Sequence, residues 1–193
     1  MPIDENTGAD LGAVGIPLTG FAAVQLDGSP TVLDSEAGAA NPLKLPEGYK
    51  KVGLFKVDGG PQESAETEDA IEYFQDGFKT AGRGTLTIAI NLAEMNEHVR
   101  RLTTGKKPDK NGMITIDAAT PDNVFPLFVT TQYKNGWQRR LNGFARISAV
   151  EKDQETRGEV NGRATTFEWV YRPEIGGYFR EWVIKPQSVL EED

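Results

Sequence analysis

The only histidine of the chain is the first candidate for chemistry. His98 follows Glu94 by four residues in a segment with helical periodicity, so the imidazole and the carboxylate could share one helix face. A metal site or an acid–base site needs a further ligand or partner at such a spacing, and this segment supplies none. We therefore interpret His98 as a surface position of a helix.

A second candidate is the oxygen-rich stretch "DKNGMITID", Asp109 to Asp117. Its oxygens alternate as in a calcium loop, but the glycine at the sixth position and the glutamate at the twelfth are missing. A tight turn that enters a strand accounts for it better. The chain has no cysteine and contains no G-x-S-x-G, P-loop or H-E-x-x-H motif. We expect no enzymatic activity, no metal and no cofactor.

The charge balance limits the possible partners. With 29 acids and 21 bases the formal charge is −8, which disfavours binding to nucleic acid by phosphate neutralisation. The stretch "WQRRLNGFAR" mixes aromatic and arginine side chains. It could stack single-stranded bases, or it could be an edge strand with protective charges, and the overall acidity favours the second interpretation. No apolar run is long enough to span a membrane, and a cytosolic origin is the default.

The secondary-structure elements that position these side chains are predicted to be mostly β-strands. Seven Asx-Gly dipeptides favour the positive φ angles of hairpin turns, at Gly28, Gly59, Gly77, Gly112, Gly136, Gly143 and Gly162. Period-two alternation buries one face in "TLTIAI", "GMITIDA" and "GFARISAV". Further strands are expected near residues 20–26, 49–57, 124–134, 137–141, 164–171 and 178–184. The chain is therefore predicted to be mainly β and antiparallel, with each sheet apolar on one side.

One segment has helical spacing. The stretch "NLAEMNEHVRRLTTG" predicts a helix over about residues 92–103, capped by Asn91 with Glu94 as its capping-box partner and ended by Gly105. Its apolar stripe should pack on the sheet and consists of Leu92, Met95, Val99 and Leu102.

We expect residues 1–193 to form a single domain. Four irregular segments are predicted: a flexible arm (1–18), a Pro/Gly insertion (28–48), a long acidic loop (59–84) and a short acidic tail (186–193). Loops as long as 59–84 inside a compact domain are usually functional or disordered.

Two blocks carry a resemblance to a known family. The unit "TLTIAINLAEMNEHVRRLTTG" and the block from Tyr133 to Trp169 resemble the major tail tube protein of long-tailed (siphovirus) bacteriophages, and the likeness extends over roughly residues 20–185. It implies an antiparallel β-sandwich or barrel with one flanking helix. It also implies hexameric rings that stack into a tube through which double-stranded DNA passes. The implied partners are further copies of the chain, a tape measure protein, and tail terminator and distal tail proteins. The implied location is the virion tail, assembled in the host cytoplasm.

Two acidic segments are the candidate sites under this resemblance. The stretch "AVEKDQETRGEVNG", residues 149–162, is expected to be a hairpin arm that faces the lumen or a neighbouring subunit, with the acids Glu151, Asp153, Glu155 and Glu159. The loop 59–84 is expected to stack one ring on the next and to become ordered only in the tube. Its candidates are Glu66, Glu68, Asp69, Tyr73 and Phe74.

Two alternatives remain open. Another ring-forming tail component, such as a terminator or distal tail protein, would give single rings. A carbohydrate- or protein-binding β-sandwich module could use the aromatic side chains of the C-terminal part, although core packing explains Phe167, Trp169 and Tyr171 equally well. The whole aromatic set is Trp137, Phe167, Trp169, Tyr171, Tyr178, Phe179 and Trp182.

Overall fold

The structure is a computed structural model that describes residues 7–74, 77–80, 82, 84–118 and 122–186. Within these residues the chain is mainly β. Its strands are β1 (Pro17–Gln25), β2 (Tyr49–Lys51), β3 (Gln62–Thr67), β4 (Ile71–Glu72), β5 (Lys79–Thr80), β6 (Gly84–Leu92), β7 (Phe125–Tyr133), β8 (Gln138–Lys152), β9 (Arg163–Trp169) and β10 (Phe179–Ile184). The α-helices are α1 (Ser35–Ala39) and α2 (Glu97–Thr104).

Eight strands form one antiparallel sheet in the order β2-β1-β7-β8-β9-β6-β3, with β10 also paired to β8. The long strand β8 holds it together. One edge of β8 pairs with β7, while the other edge pairs first with β10 and then, from Ala145 onward, with β9. The first half of β8 therefore lies between β7 and β10, and its second half pairs with β9. The antiparallel, mainly β prediction is confirmed.

Main-chain hydrogen bonds close this sheet along the segment 49–67. At its start β2 pairs with β1, and the Val52 N–H donates to the Ala22 carbonyl at 3.0 Å. Further along, Phe55 forms a bridge with Leu92 of β6, and β3 continues the pairing along β6. One continuous segment thus joins both ends of the sheet and gives it a barrel-like closure.

The core lies inside this closed sheet. The predicted alternation of "TLTIAI" is confirmed, because Ile88 and Ile90 are buried while the intervening residues remain partly exposed. In "GFARISAV" the alternation fails at Ala149, which is exposed. The register shifts between Ile147 and Ala149, and such a bulge moves every later side chain to the other face. Val150 packs against the core instead.

The predicted helix begins too early. Leu92 is the last residue of β6, and α2 starts five residues later, capped by the Asn96 side chain, which accepts from the Val99 N–H at 2.9 Å. Val99 and Leu102 are buried as predicted, but Met95 lies before the helix and its side chain is 60% exposed. The predicted stop is confirmed, since Gly105 adopts φ 69°.

The Pro/Gly insertion 28–48 forms a strap over the outer face of β8 and β10. The Leu33 N–H donates to the fully buried Asn142 Oδ1 at 2.7 Å. Arg140, also buried, donates to the carbonyls of Gly38 and Ala40 at 2.8 Å each. Polar groups of β8 therefore satisfy the main chain of the strap, which includes α1.

The turn and strand predictions hold only in part. Positive φ is confirmed at Gly28, Gly77, Gly112 and Gly136, and Gly136 lies in the hairpin between β7 and β8. Gly143 instead lies inside β8, where a side chain would collide with the Tyr178 main chain at 2.5 Å. The stretch "GMITIDA" is not a strand, and Ile116 is 61% exposed.

Candidate functional site

A continuous polar face covers the outside of β3, β6, β9 and the second half of β8. The register pairs Glu66 with Thr85, Thr87 with Glu168, and Glu168 with Arg146. Because side chains alternate along a strand, these residues lie on the face of the sheet that is turned away from the buried Ile88. The polar face consists of Ser64, Glu66, Thr85, Thr87, Arg146, Ser148, Glu151, Thr166 and Glu168.

The charge of the polar face is negative. Its single cation, Arg146, donates to Glu168 at 2.9 Å and lies 3.5 Å from Asp122, so acids already surround it. These carboxylates raise the pKa of Arg146, with the hydrogen bond to Glu168 as the first cause. The carboxylates of Glu66 and Glu151 have no cation partner among the described residues. The face therefore offers hydroxyls and carboxylates, a surface that repels phosphate.

The candidate hairpin arm, residues 149–162, comprises the end of β8 and the loop that follows it. Glu151 pairs with Ala164 in the ladder of β8 and β9 and belongs to the polar face, whereas Glu155 and Glu159 lie exposed in the connecting loop 153–162. Asp153 makes contacts within its own chain. Its Oδ2 accepts from Lys56 Nζ at 2.8 Å and from the Gly162 N–H at 3.1 Å. These contacts lower the pKa of Asp153, and the hydrogen bond from Lys56 is the largest cause.

The segment 59–84 is not a continuous loop. Its first part, including Glu66, is the edge strand β3, which is already ordered by its pairing with β6 in the single chain. Glu68 and Asp69 follow as exposed linker residues. The pair β4–β5 forms a separate two-stranded hairpin, in which the Tyr73 N–H donates to the Phe78 carbonyl at 3.1 Å. Sequence reasoning missed β3 because five of its six residues are polar or charged and every one of them is exposed.

The β4–β5 hairpin leaves large apolar side chains in water. Phe74 is fully exposed, Phe78 is 66% exposed and Ile71 is 61% exposed. Tyr73 is half-exposed, and its hydroxyl accepts from Thr80 Oγ1 at 3.0 Å. Contiguous exposed apolar groups of this size usually mark a surface that contacts another protein.

A second exposed apolar surface lies along a seam in the sheet. β2 pairs only with the last three residues of β1, so the start of β1 has one free edge. A cleft separates this edge from the segment 53–61, and its walls include the exposed side chains of Leu18, Leu54 and Val57. An unpaired edge beside apolar side chains can accept a strand or a loop from another subunit.

An ion-pair cluster fixes the edge strand β3 against β8. The Arg139 guanidinium donates to both carboxylate oxygens of Glu63, one of them at 2.9 Å, and its Nε donates to Glu181 of β10. The Glu63 hydrogen bond is the first cause of a raised Arg139 pKa. Sequence reasoning noted Arg139 as a possible base-stacking residue but could not foresee acids from two distant strands.

The remaining candidates are His98 and the possible metal-ligating side chains. His98 is half-buried, and burial is the first cause of its lowered pKa, with Lys50 nearby as a like charge. His98 lies on α2 as the helical spacing predicts, but it is half-buried and not fully exposed. Among the residues described, no group of three or more His, Cys, Asp or Glu side chains could hold a metal ion. In the same part of the chain no helix is both long and apolar enough to cross a membrane.

The aromatic set of the C-terminal part is mostly used for packing. Phe167 and Trp169 are buried in the core, and Phe179 packs on Trp169 with ring centroids 4.8 Å apart. Trp182 covers Gly38 of the strap and donates to the Ser35 carbonyl. These four rings are therefore not free to stack on a ligand.

No protein-family model matches this chain, and no curated protein matches it. The polar face, the exposed hairpin and the seam are therefore the features of this chain that bear on its function.

Proposed function

We propose that the chain is a structural subunit that assembles into a tube, as the major tail tube protein of a long-tailed bacteriophage. In this assembly six copies form a ring, and the rings stack into the conduit through which double-stranded DNA leaves the virion. Under this proposal the fold is a tail tube fold and the protein is located in the virion tail. Its partners are further copies, a tape measure protein, and terminator and distal tail proteins.

The observation that carries the proposal is the polar face on β3, β6, β9 and β8. A sliding DNA duplex requires a wall that does not release its counterions and bind it. The face meets this requirement, because its one arginine is paired with Glu168 and the unpaired charges are carboxylates. Repulsion of this kind decays over about 8 Å at physiological salt, so it prevents adhesion without blocking passage.

The exposed apolar surfaces supply the contacts that a tube needs. A ring uses a head-to-tail contact between different surfaces of adjacent copies, and the stack uses another. The seam beside β1 is suited to the contact within a ring, because it combines a free strand edge with Leu18, Leu54 and Val57. The β4–β5 hairpin with Phe74 and Phe78 is suited to the contact between rings. Burial of these exposed apolar side chains, aliphatic at the seam and aromatic at the hairpin, would favour both contacts.

Electron microscopy of the purified chain tests this proposal. Stacked rings with six-fold symmetry support it. Rings that never stack at any concentration would favour a terminator or distal tail component. A chain that stays monomeric and binds polysaccharide would favour the carbohydrate-binding alternative.

A further inference from the structure

A cavity of about 510 Å³ lies between α2, the chain at 114–117 and the adjoining ends of β8 and β9. Three cations line it: Arg100 from α2, Lys152 from the end of β8 and Arg163 from the start of β9. We call this cavity the basic pocket. Its other walls come from Met95, Thr103, Thr104, Ile114, Ile116, Asp117 and Val150.

The cations of the basic pocket have no carboxylate partner among the described residues. Arg100 donates to the Gly112 carbonyl at 2.8 Å, which leaves its charge uncompensated. Asp117 forms its ion pair with Lys106 at 2.6 Å. Burial, and then the neighbouring charge of Arg100, lower the pKa of Arg163. In a protein of net charge −8, like charges gathered in a cavity point to an anionic partner.

The apolar walls narrow the chemistry of that partner. Met95 is 60% exposed and Ile116 is 61% exposed, and both border the pocket. A small inorganic anion would satisfy the arginines but leave these side chains in water. A peptide that carries carboxylates next to aliphatic residues satisfies both parts of the pocket.

The chain itself contains such a peptide outside the described residues. The sequence "QSVLEED", residues 187–193, places Val189 and Leu190 directly before three acids. We propose that the basic pocket of one copy binds residues 187–193 of a second copy, an inference that rests on the proposed self-assembly and names one of its contacts.

Residues 187–193 are too short to reach the basic pocket of their own copy. Pro186 lies beside Gly136, at the start of β8, whereas Lys152 ends that strand. At about 3.3 Å per residue, the 15-residue β8 has an extended length of roughly 46 Å between these two points. Seven residues span at most roughly 25 Å when fully extended. The contact therefore joins opposite ends of two copies, and repeating it builds a head-to-tail stack instead of a closed dimer.

Fluorescence anisotropy with a labelled QSVLEED peptide and the full-length protein tests the pocket without requiring tubes. We expect saturable binding that weakens as salt rises. Arg163→Gln should weaken it about tenfold or more, since a hydrogen bond between charged groups is lost. Lys152→Gln, on the pocket rim, should weaken it as well, and circular dichroism checks that each variant folds. Lys44→Gln removes an exposed cation of the strap and should leave the affinity unchanged.

Three results would overturn the inference. The first is equal affinity for a peptide in which the three acids are replaced by their amides. The second is unchanged affinity in both pocket variants. The third is displacement of the peptide by a short DNA strand that binds the pocket more tightly, which would make nucleic acid the partner.

Exchanging the charges of the pocket and the peptide tests whether their ion pairing can be restored. Arg163→Glu should abolish binding of the native peptide, and a peptide with Lys in place of Glu191 and Glu192 should restore it. Tubes seen by microscopy without peptide binding would sink this inference and leave the proposed function standing. Peptide binding by a chain that never forms rings or tubes would do the opposite.

Discussion

The Lys56 ammonium lies 2.8 Å from the Asp153 carboxylate and joins the loop 153–162 to the segment that closes the sheet. Asp153 also accepts from the Gly162 N–H, and its own N–H donates to the Gly162 carbonyl at 3.0 Å. The base of the candidate arm is thus fixed to its own chain. Any contact with a neighbour or with DNA belongs to the exposed part of the loop and to Glu151.

Replacing Asp153 with Asn should loosen the loop 153–162 and leave the rest of the fold intact. The ion pair with Lys56 would be lost, so amide exchange in the loop should accelerate while the core strands keep their protection. Hydrogen exchange measures both. Glu155→Gln is the matched control, because Glu155 has no ion-pair partner among the described residues; equal effects of the two substitutions would contradict the assigned role of Asp153.

The same ion pair predicts a pH window. The pKa of Asp153 is lowered, so its contribution is present above the unfolded value near 4 and is lost as the pH falls through the lowered folded value. The pKa of Lys56 is raised, so its contribution is lost only as the pH rises through a value above about 10.5. Loop protection should therefore be constant from about pH 4 to 10. Loss of protection near neutral pH would contradict this.

Replacing Asn142 should release the strap. Its side chain accepts from the Leu33 N–H and donates to the Leu127 carbonyl, both buried, and donates to the partly buried Tyr49 hydroxyl. Asn142→Ala leaves buried groups unpaired and should cost about 2–4 kcal/mol of unfolding free energy. Urea unfolding measures it. Gln132→Ala, on an exposed position of β7, should change stability by less than about 0.5 kcal/mol.

Phe74→Ser combined with Phe78→Ser should abolish assembly without destabilising the chain. Both rings are exposed in the single copy, so the unfolding free energy should change by no more than about 0.5 kcal/mol. Sedimentation then reports assembly separately from folding. This substitution is sharper than deleting residues 64–74, because that deletion would also remove most of β3. Normal assembly by the double variant would exclude the hairpin from the contact between subunits.

Reversing the charge of the acids that have no ion-pair partner among the described residues tests whether they line the lumen. Lys at Glu151, Glu155 and Glu159 should make assembled tubes retain double-stranded DNA at low salt and release it as the salt concentration rises. Lys at Glu36, Glu47 and Glu174, away from the polar face, is the matched control. Equal DNA retention by the two sets would show that the loop and Glu151 do not line the channel.

The parts of the fold that were predictable depend on local periodicity. Ile88 and Ile90 could be placed on a buried face because period two fixes the face whatever strand pairs with it. The start of α2 could not, since Leu92 fits both the strand pattern and the helical stripe. The strap was missed because its anchors, Leu33 and Asn142, lie 109 residues apart. No local signal records such a contact.

The candidate site depends even more on long-range pairing. Glu66 and Glu151 share the polar face only because β6 and β9 lie between their strands in a fixed register. Asp153 follows the last residue of β8 and is held by Lys56, so its acidic neighbourhood in the sequence does not show on which side of the sheet it lies. The acidity of the segment was evident from the sequence, but the division into paired and free acids was not.

The central claim is that this chain builds a stacked tube whose lumen is lined by the polar face. Electron microscopy of tubes formed by the purified protein, with image averaging along the tube axis, tests it most directly. We expect stacked six-fold rings whose inner wall is formed by β3, β6, β9 and the second half of β8. A chain that remains monomeric at every concentration, or a tube that presents this face to the outside, would contradict it.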